Sequence, residues 1–391
     1  MLNDVFDDAQ IALRPTAVHV SRTALQHNLR HLRSIVGSSR KVMAIVKANA
    51  YGHGLIDAAK EFLRAGADAL GVAFLEEGIA LRRAGIRAPI LVLGGIIGNQ
   101  VRHFLEHDLD VTVASPFKLR QVEEAAKQRG IPARIHLAFD TGMQRLGVQW
   151  DNSGELLRLA GASDWAQTVG IFSHFATAED GNRDFAEEQM RRFGCVLEAA
   201  RRAGLSDFDA HLANTAGILQ LGERSFHDMV RPGLGLYGVG PAGPEPSLQA
   251  AMRLETRIVY FKVVRAGRTV SYDRTWAPAE DTRLVTLPIG YGDGYSRALS
   301  NRAEVLVRGQ RCPVVGRVTM DATMVDLGPD GTGYNGDEVV LLGPQGDEEI
   351  TTHEFARWQQ TIPYEVLTGI NTRVPRIYVD DFESLSAVQP R

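Results

Sequence analysis

Cysteine is nearly absent: Cys195 and Cys312 are the only two in 391 residues. They lie far apart, in stretches that read as a helix and a strand, which speaks against a disulfide framework and against a thiolate metal site. A reducing compartment fits that usage. No run is long and apolar enough to span a bilayer. The N-terminus, MLNDVFDDAQIALRP, is acidic where a secretory signal would be basic and then apolar, so a cytoplasmic location and no membrane association are expected. Neither sign of charge is in large excess, with 43 Lys and Arg against 47 Asp and Glu and a formal net charge of -4. That balance removes the electrostatic reason to expect nucleic acid as a partner. Internal repeats and low-complexity tracts are missing as well. What remains, 44% hydrophobic and 23% charged residues, is an ordinary globular composition in a chain long enough for two domains. A small molecule is the expected partner.

From about residue 15 to 240, short apolar runs alternate with amphipathic segments, the pattern of repeated strand-helix units around a parallel sheet. Eight strands are predicted: Lys41 to Ala48, Ala69 to Phe74, Pro89 to Gly94, Leu109 to Ser115, Ala133 to Asp140, Val169 to Phe175, Phe208 to Ala213 and Met229 to Tyr237. Helix-like stretches such as Leu55 to Ala65, Pro116 to Gln128 and Asp184 to Ala203 lie between them, several closed by glycine. The fold class is therefore α/β, an N-terminal (β/α)8 barrel of the TIM type. After Tyr237 the segment GVGPAGPEPS gathers Gly and Pro, and the texture changes to strand-like runs such as RIVYFKVV and RLVTLPIG. The expected division is a barrel domain over 1–245 and a mainly β domain over 246–391, with one helix near Thr352 to Gln360.

The first chemical signal is AIVKANAYGHG, residues 44–54, in which Lys47 ends an apolar strand. A lone strand-end lysine most often reaches out to solvent. In a barrel, however, strand C-termini form the catalytic face, and a desolvated amine there can form a Schiff base with a carbonyl cofactor. The same test returns polar residues at other strand ends: Asp140 and Arg145, His174, Asn214 and Thr215, and Arg231 with Gly233. Each alone has an ordinary explanation as a core histidine, a rim ion pair or a helix cap. Together they converge on one face. Thr215 and the glycines of RPGLGLYG follow strands seven and eight, the usual phosphate corner of such barrels, which implies a phosphorylated cofactor.

The segments AIVKANAYGHG, DTGMQRLG, SHFATAED, HLANTAG, VRPGLGLYG, VSYD, PIGYGDG, GRVTMDATMVDL and IPYEV occur in this order and span most of the chain. They resemble the successive signatures of the alanine racemase family. The resemblance implies a barrel that holds pyridoxal 5'-phosphate, a C-terminal β domain, and interconversion of L- and D-alanine, supplying D-alanine for peptidoglycan. By resemblance, Lys47 carries the cofactor and is one of two acid/base catalysts, and Tyr272 is the other. Inversion through a planar carbanion needs proton transfer on opposite faces of Cα, which suits two residues on different elements. The family supplies that tyrosine from the partner subunit, so a homodimer with shared sites is implied. Arg231 matches the residue facing the pyridine nitrogen, with a chain of contacts from Tyr272 through His174. An arginine there keeps the ring nitrogen unprotonated and weakens the cofactor as an electron sink. The resemblance further places Tyr51, Thr215, Gly233, Leu234 and Tyr364 around the phosphate and Asn214 in the same shell. His174 falls beside the ring, and Arg145 beside the phenolic oxygen. Met320, through its backbone, and Asp321 match the group that receives the substrate carboxylate.

One position departs from the pattern. Many family members carry a carbamylated lysine seven residues before the arginine of DTGMQRLG, and Ala138 stands there. Without that fixed anion Arg145 is an under-compensated cation, so a chloride, another small anion or a rearranged acidic side chain is expected beside it. The substitution also leaves open a broad-specificity amino-acid racemase. A related decarboxylase is opposed by Arg231 and Tyr272, and a non-catalytic cofactor-binding protein by the retained Tyr272.

Overall fold

Eight short, mostly buried segments close into a parallel barrel. The computed structural model describes residues 14–179 and 183–386; the acidic segment 1–13 and Asp180 of SHFATAED lie outside them. The first ten strands are β1 (Ala17–Ser21), β2 (Lys41–Ile45), β3 (Ala69–Val72), β4 (Ile90–Val92), β5 (Asp110–Val113), β6 (Ala133–Asp140), β7 (Val148–Gln149), β8 (Ala166–Phe172), β9 (Asp209–His211) and β10 (Met229–Val230). The ring runs β2-β3-β4-β5-β6-β8-β9-β10 and returns to β2, every pairing parallel. Strands covered on both faces read as continuous apolar runs, and β3 and β4 are buried at every residue.

Local chemistry sets the helices between them. In Pro116–Arg129 the Ser115 hydroxyl accepts from the Lys118 N–H at 3.2 Å, Pro116 occupies the first turn, and Gly130 closes the helix at φ 69°. Asp184–Arg202 buries Ala186, Gln189, Phe193, Val196, Leu197 and Ala200, the spacing of one helical face. The expected eighth strand stops early, at Val230. Pro232 has no N–H to donate to a ladder, and Gly233 turns the chain at φ −120°, ψ −92° into a short 3-10 turn, Leu234–Tyr237. Strand β2 likewise ends two residues before Lys47.

The C-terminal region adds β11 (Met252–Arg257), β12 (Tyr260–Val264), β13 (Thr282–Leu287), β14 (Glu304–Val307), β15 (Gln310–Pro313), β16 (Thr323–Asp326), β17 (Glu338–Gln345), β18 (Glu348–Ile350) and β19 (Arg376–Val379). One sheet has the order β15-β14-β17-β11-β1-β19, with β18 on β17, and a second joins β12, β13 and β16. The predicted helix near residue 352 is Thr352–Gln359, begun by a reciprocal cap between Thr351 and Glu354. Strand β1, which the sequence pattern did not mark, pairs antiparallel with β11 and parallel with β19. Two units result. One comprises residues up to Ala24, Tyr51–His53 and the chain from Ala250 onward; the other comprises Leu25–Ala50 and Gly54–Gln249.

Candidate functional site

Lys47 leaves β2 on a backbone that then winds left-handed, with φ/ψ of 53°/53° at Ala48, 56°/44° at Asn49 and 53°/53° at Ala50. For residues with a Cβ this conformation costs about 1–2 kcal/mol each. Named contacts hold it. The Ala48 N–H donates to Glu77 Oε1 at 2.7 Å, and Glu77 Oε2 accepts from the Ala73 and Phe74 N–H groups at 2.8 and 3.2 Å. The Asn49 side chain accepts from the Leu55 N–H at 2.8 Å. Burial lowers the pKa of the Lys47 amine, and Arg145 and Arg231 add to that, opposed only by Glu77. A partly desolvated amine near two guanidinium groups has the character of a Schiff-base lysine.

Arg231 is a buried cation. Its Nη1 donates to the ring nitrogen Nδ1 and to the carbonyl of His211, both at 2.7 Å, and its Nη2 donates to the Ser173 carbonyl at 2.6 Å. The guanidinium lies 5.3 Å from the centre of the Phe172 ring. Burial brings its pKa down to about 9, so it stays charged near neutrality. Its Nε–H has no partner among the described residues. Nη2 also points at His174 Nδ1, 3.5 Å away. Burial, followed by Arg231, Arg145 and Lys47, lowers the His174 pKa to about 3, so its ring is neutral.

The corner expected to hold a phosphate forms from the loops after β9 and β10. Thr215 Oγ1 accepts from the Gly233 and Gly235 N–H groups at 3.0 and 3.1 Å. A Cβ at Gly235 would stand 2.7 Å from Thr215 Cγ2, so only glycine allows this approach. Asn214 Oδ1 accepts from the Gly217 N–H at 2.9 Å, and Leu234 opens the next turn. Arg145 is anchored through its backbone N–H to Asp140 Oδ2 at 3.2 Å, while its guanidinium has no partner among the described residues. No rearranged acidic side chain pairs with it there, which corrects that arm of the expectation raised by Ala138. The physical reason is that the nearby carboxylate, Asp140, is committed to backbone N–H groups of Gly142 and Arg145.

The other unit carries the remaining predicted residues. The Tyr51 and Tyr364 rings meet at 5.9 Å, and a Cβ at the adjoining Gly52 would collide with the Leu367 carbonyl at 2.1 Å. Tyr272 is 67% exposed, presented by a second left-handed stretch at Ser271, Asp273 and Arg274. That stretch is held by the Ser271 hydroxyl donating to the Arg317 carbonyl at 2.7 Å and by Asp273 pairing with Arg297 and Arg317 at 3.1 Å. Both residues predicted to move protons thus stand directly beside residues of positive φ, a feature of functional sites. Met320 is exposed, its carbonyl accepting from the Gly292 N–H at 2.9 Å, and Asp321 pairs with Arg373 at 2.8 Å.

The barrel unit therefore brings together Lys47, Arg145, His174, Asn214, Thr215, Arg231, Gly233 and Leu234. Sequence reading missed Glu77 and His211. Glu77 stands at the third position of the helix Leu75–Arg83, where a carboxylate reaches back to N-terminal amides; His211 opens the quoted HLANTAG segment. An amine, an unpartnered guanidinium N–H, a neutral imidazole and an amide-rich corner fit an aromatic aldehyde that bears a phosphate.

Comparison with known proteins gives that chemistry a family. The alanine racemase N-terminal domain matches residues 20–241, and the alanine racemase C-terminal domain matches residues 251–378. An alanine racemase of Caldanaerobacter subterraneus subsp. tengcongensis is 41% identical over 94% of this chain and 95% of its own. The crystal structure of alanine racemase from Streptomyces lavendulae superposes with a TM-score of 0.90 at 36% identity, covering 95% of this chain and 98% of that one. That of Bartonella henselae alanine racemase, with covalently bound pyridoxal phosphate, has a TM-score of 0.85 at 29% identity, covering 93% and 99%.

Proposed function

This chain belongs to the alanine racemase family, and on that premise we propose that it interconverts L- and D-alanine with pyridoxal 5'-phosphate, supplying D-alanine for peptidoglycan in the cytoplasm. The observation that carries the reading is the Lys47 amine, its pKa lowered by burial and by Arg145, within the field of a buried Arg231 whose Nε–H has no partner among the described residues. When bound, the cofactor supplies the electron sink that acidifies the substrate Cα–H. Lys47 holds the cofactor's aldehyde carbon and exchanges the Cα proton on one face; Tyr272 exchanges it on the other. Arg231, kept cationic, offers the ring nitrogen a hydrogen bond and no proton to take, which limits charge delocalisation. His174 packs beside the ring and Arg145 attends the phenolic oxygen. Thr215, Gly233, Leu234, Tyr51 and Tyr364 serve the phosphate, with Asn214 in support. The Met320 backbone and Asp321 serve the substrate carboxylate.

The working form in this reading is a homodimer in which Tyr272 acts in the partner's site. In support, large side chains on one face of β12 and beside it lie uncovered, with Phe261 37%, Val263 62% and Tyr272 67% exposed. A chloride or another small anion takes the place beside Arg145 that Ala138 leaves without a charge. Racemisation should therefore respond to replacement of chloride by a bulky anion. Among the described residues no helix is long and apolar enough to cross a membrane.

The test is chiral analysis of products from purified protein with pyridoxal phosphate and, separately, L-alanine, L-serine, L-lysine and L-arginine. D-alanine as the dominant product supports the reading. Comparable conversion of the basic amino acids would replace it with a broad-specificity racemase, and no conversion would reduce the protein to a cofactor binder.

A further inference from the structure

Behind Arg231 a line of buried polar side chains runs down the inside of the barrel, and no step above uses it. His211 Nδ1 lies 2.7 Å from Arg231 Nη1, His211 Nε2 lies 2.9 Å from His136 Nδ1, and His136 Nε2 lies 3.4 Å from Asp110 Oδ2. Asp110 opens β5, His136 stands within β6, His211 ends β9 and Arg231 follows β10. None of the four is more than 4% exposed.

The barrel is shaped around this line. The β6–β8 register shifts between Ile135 and His136, a bulge that re-aims the histidine. Opposite it stands Gly170, where a Cβ would fall 2.0 Å from His136 Nδ1. Phe172 stacks on His211 at 5.1 Å with 12° between the planes, and the same residue lies beneath the Arg231 guanidinium.

The chain has one direction only. A guanidinium cannot accept a hydrogen bond, so His211 Nδ1 must be the acceptor and its proton must sit on Nε2. His136 Nδ1 must then accept in turn, and its proton must sit on Nε2, pointing at Asp110. We propose that Asp110 is a positioning residue for Arg231: its carboxylate ends a donor chain Arg231 to His211 to His136 to Asp110 and thereby fixes the guanidinium that faces the cofactor. If Asp110 were neutral, His136 could turn its proton to Nδ1, which would reverse His211 and set an N–H against the N–H groups of Arg231. Burial and the Arg231 charge keep His211 neutral, as the chain requires. Asp110 also pairs with Arg134, Nε to Oδ1 at 2.8 Å, at the foot of the barrel.

The assignment rests on the racemase reading for its purpose but not for its first test. Nitrogen-15 spectra of histidine-labelled wild-type holoenzyme near neutral pH should show His211 and His136 both as Nε2–H tautomers; an Nδ1–H or doubly protonated form of either would overturn the chain whatever the enzyme catalyses. In the holoenzyme, Asp110→Asn should admit the other His136 tautomer and lower kcat for alanine about tenfold, with KM and cofactor stoichiometry unchanged. Arg134→Gln, which removes an ion pair outside the chain, should leave the tautomers and kcat as in the wild type. An unchanged kcat in Asp110→Asn, or an equal loss in Arg134→Gln, would refute the role. If Asp110→Asn does not fold, the wild-type tautomers still decide the matter.

Discussion

Glu77 bridges two pieces of backbone, and cutting one side of that bridge should cost activity before it costs the fold. Its two carboxylate oxygens serve the Ala48 N–H on one side and the Ala73 and Phe74 N–H groups on the other. Glu77→Gln keeps the shape but offers one acceptor oxygen, so one side must face an amide NH2. A hydrogen bond to a charged group is worth about 1.5–3 kcal/mol, and at this partly exposed position the lower figure applies. Positive φ runs from Ala48 to Tyr51, and Ala48, Asn49 and Ala50 alone hold about 3–6 kcal/mol of strain. Losing a tie of about 1.5 kcal/mol frees much of that strain, and the turn can relax away from the geometry that presents Lys47. In rate terms the loss is about tenfold in kcat/KM for alanine. Steady-state racemisation and cofactor titration measure it, with Glu76→Gln, an exposed neighbour, as the control. Wild-type kcat/KM in Glu77→Gln would refute the claim that the bridge positions Lys47.

The same strain gives Ala48→Gly an unusual sign: glycine escapes about 1–2 kcal/mol of left-handed cost and forfeits about 1 kcal/mol of chain entropy, so melting should be unchanged or slightly higher, and a clear drop in Tm would contradict it. Gly170→Ala forces a Cβ onto the His136 ring at 2.0 Å. Overpacking of this kind costs about 1–3 kcal/mol, at about 2–4 °C of Tm for each kcal/mol, read by calorimetry; a wild-type Tm would show that the ring can move freely. His174, with a pKa lowered to about 3, and His211, lowered well below the usual value, are neutral when folded and take up protons when unfolded. Their contribution is complete above about pH 6.5 and is lost as pH falls from there toward 3, at up to roughly 1.4 kcal/mol per pH unit for each. Urea midpoints that stay flat between about pH 6.5 and 5 would contradict this.

The barrel was legible because its strands are buried on both faces and its helices carry local start and stop signals, as at Ser115, Pro116 and Gly130. Strand β1 was not, because its partners β11 and β19 lie far along the chain and nothing local marks the pairing. Lys47, Arg145, His174 and Arg231 could be singled out as polar groups at strand ends. Glu77 and His211 could not be assigned roles that way, since each works by orienting another group, and only coordinates show which atom it faces. The left-handed turns at Ala48 and Ser271 were equally hidden: neither alanine nor serine signals positive φ.

The most direct test of the account is complementation between two inactive variants. Lys47→Ala and Tyr272→Phe chains, co-expressed with different tags, should each racemise L-alanine poorly alone. Mixed dimers hold one intact site made from the wild-type lysine of one chain and the wild-type tyrosine of the other, so a random mixture should regain about a quarter of wild-type activity. Purified mixed dimers with no activity above the parents would show that Lys47 and Tyr272 do not act as a pair across the subunits.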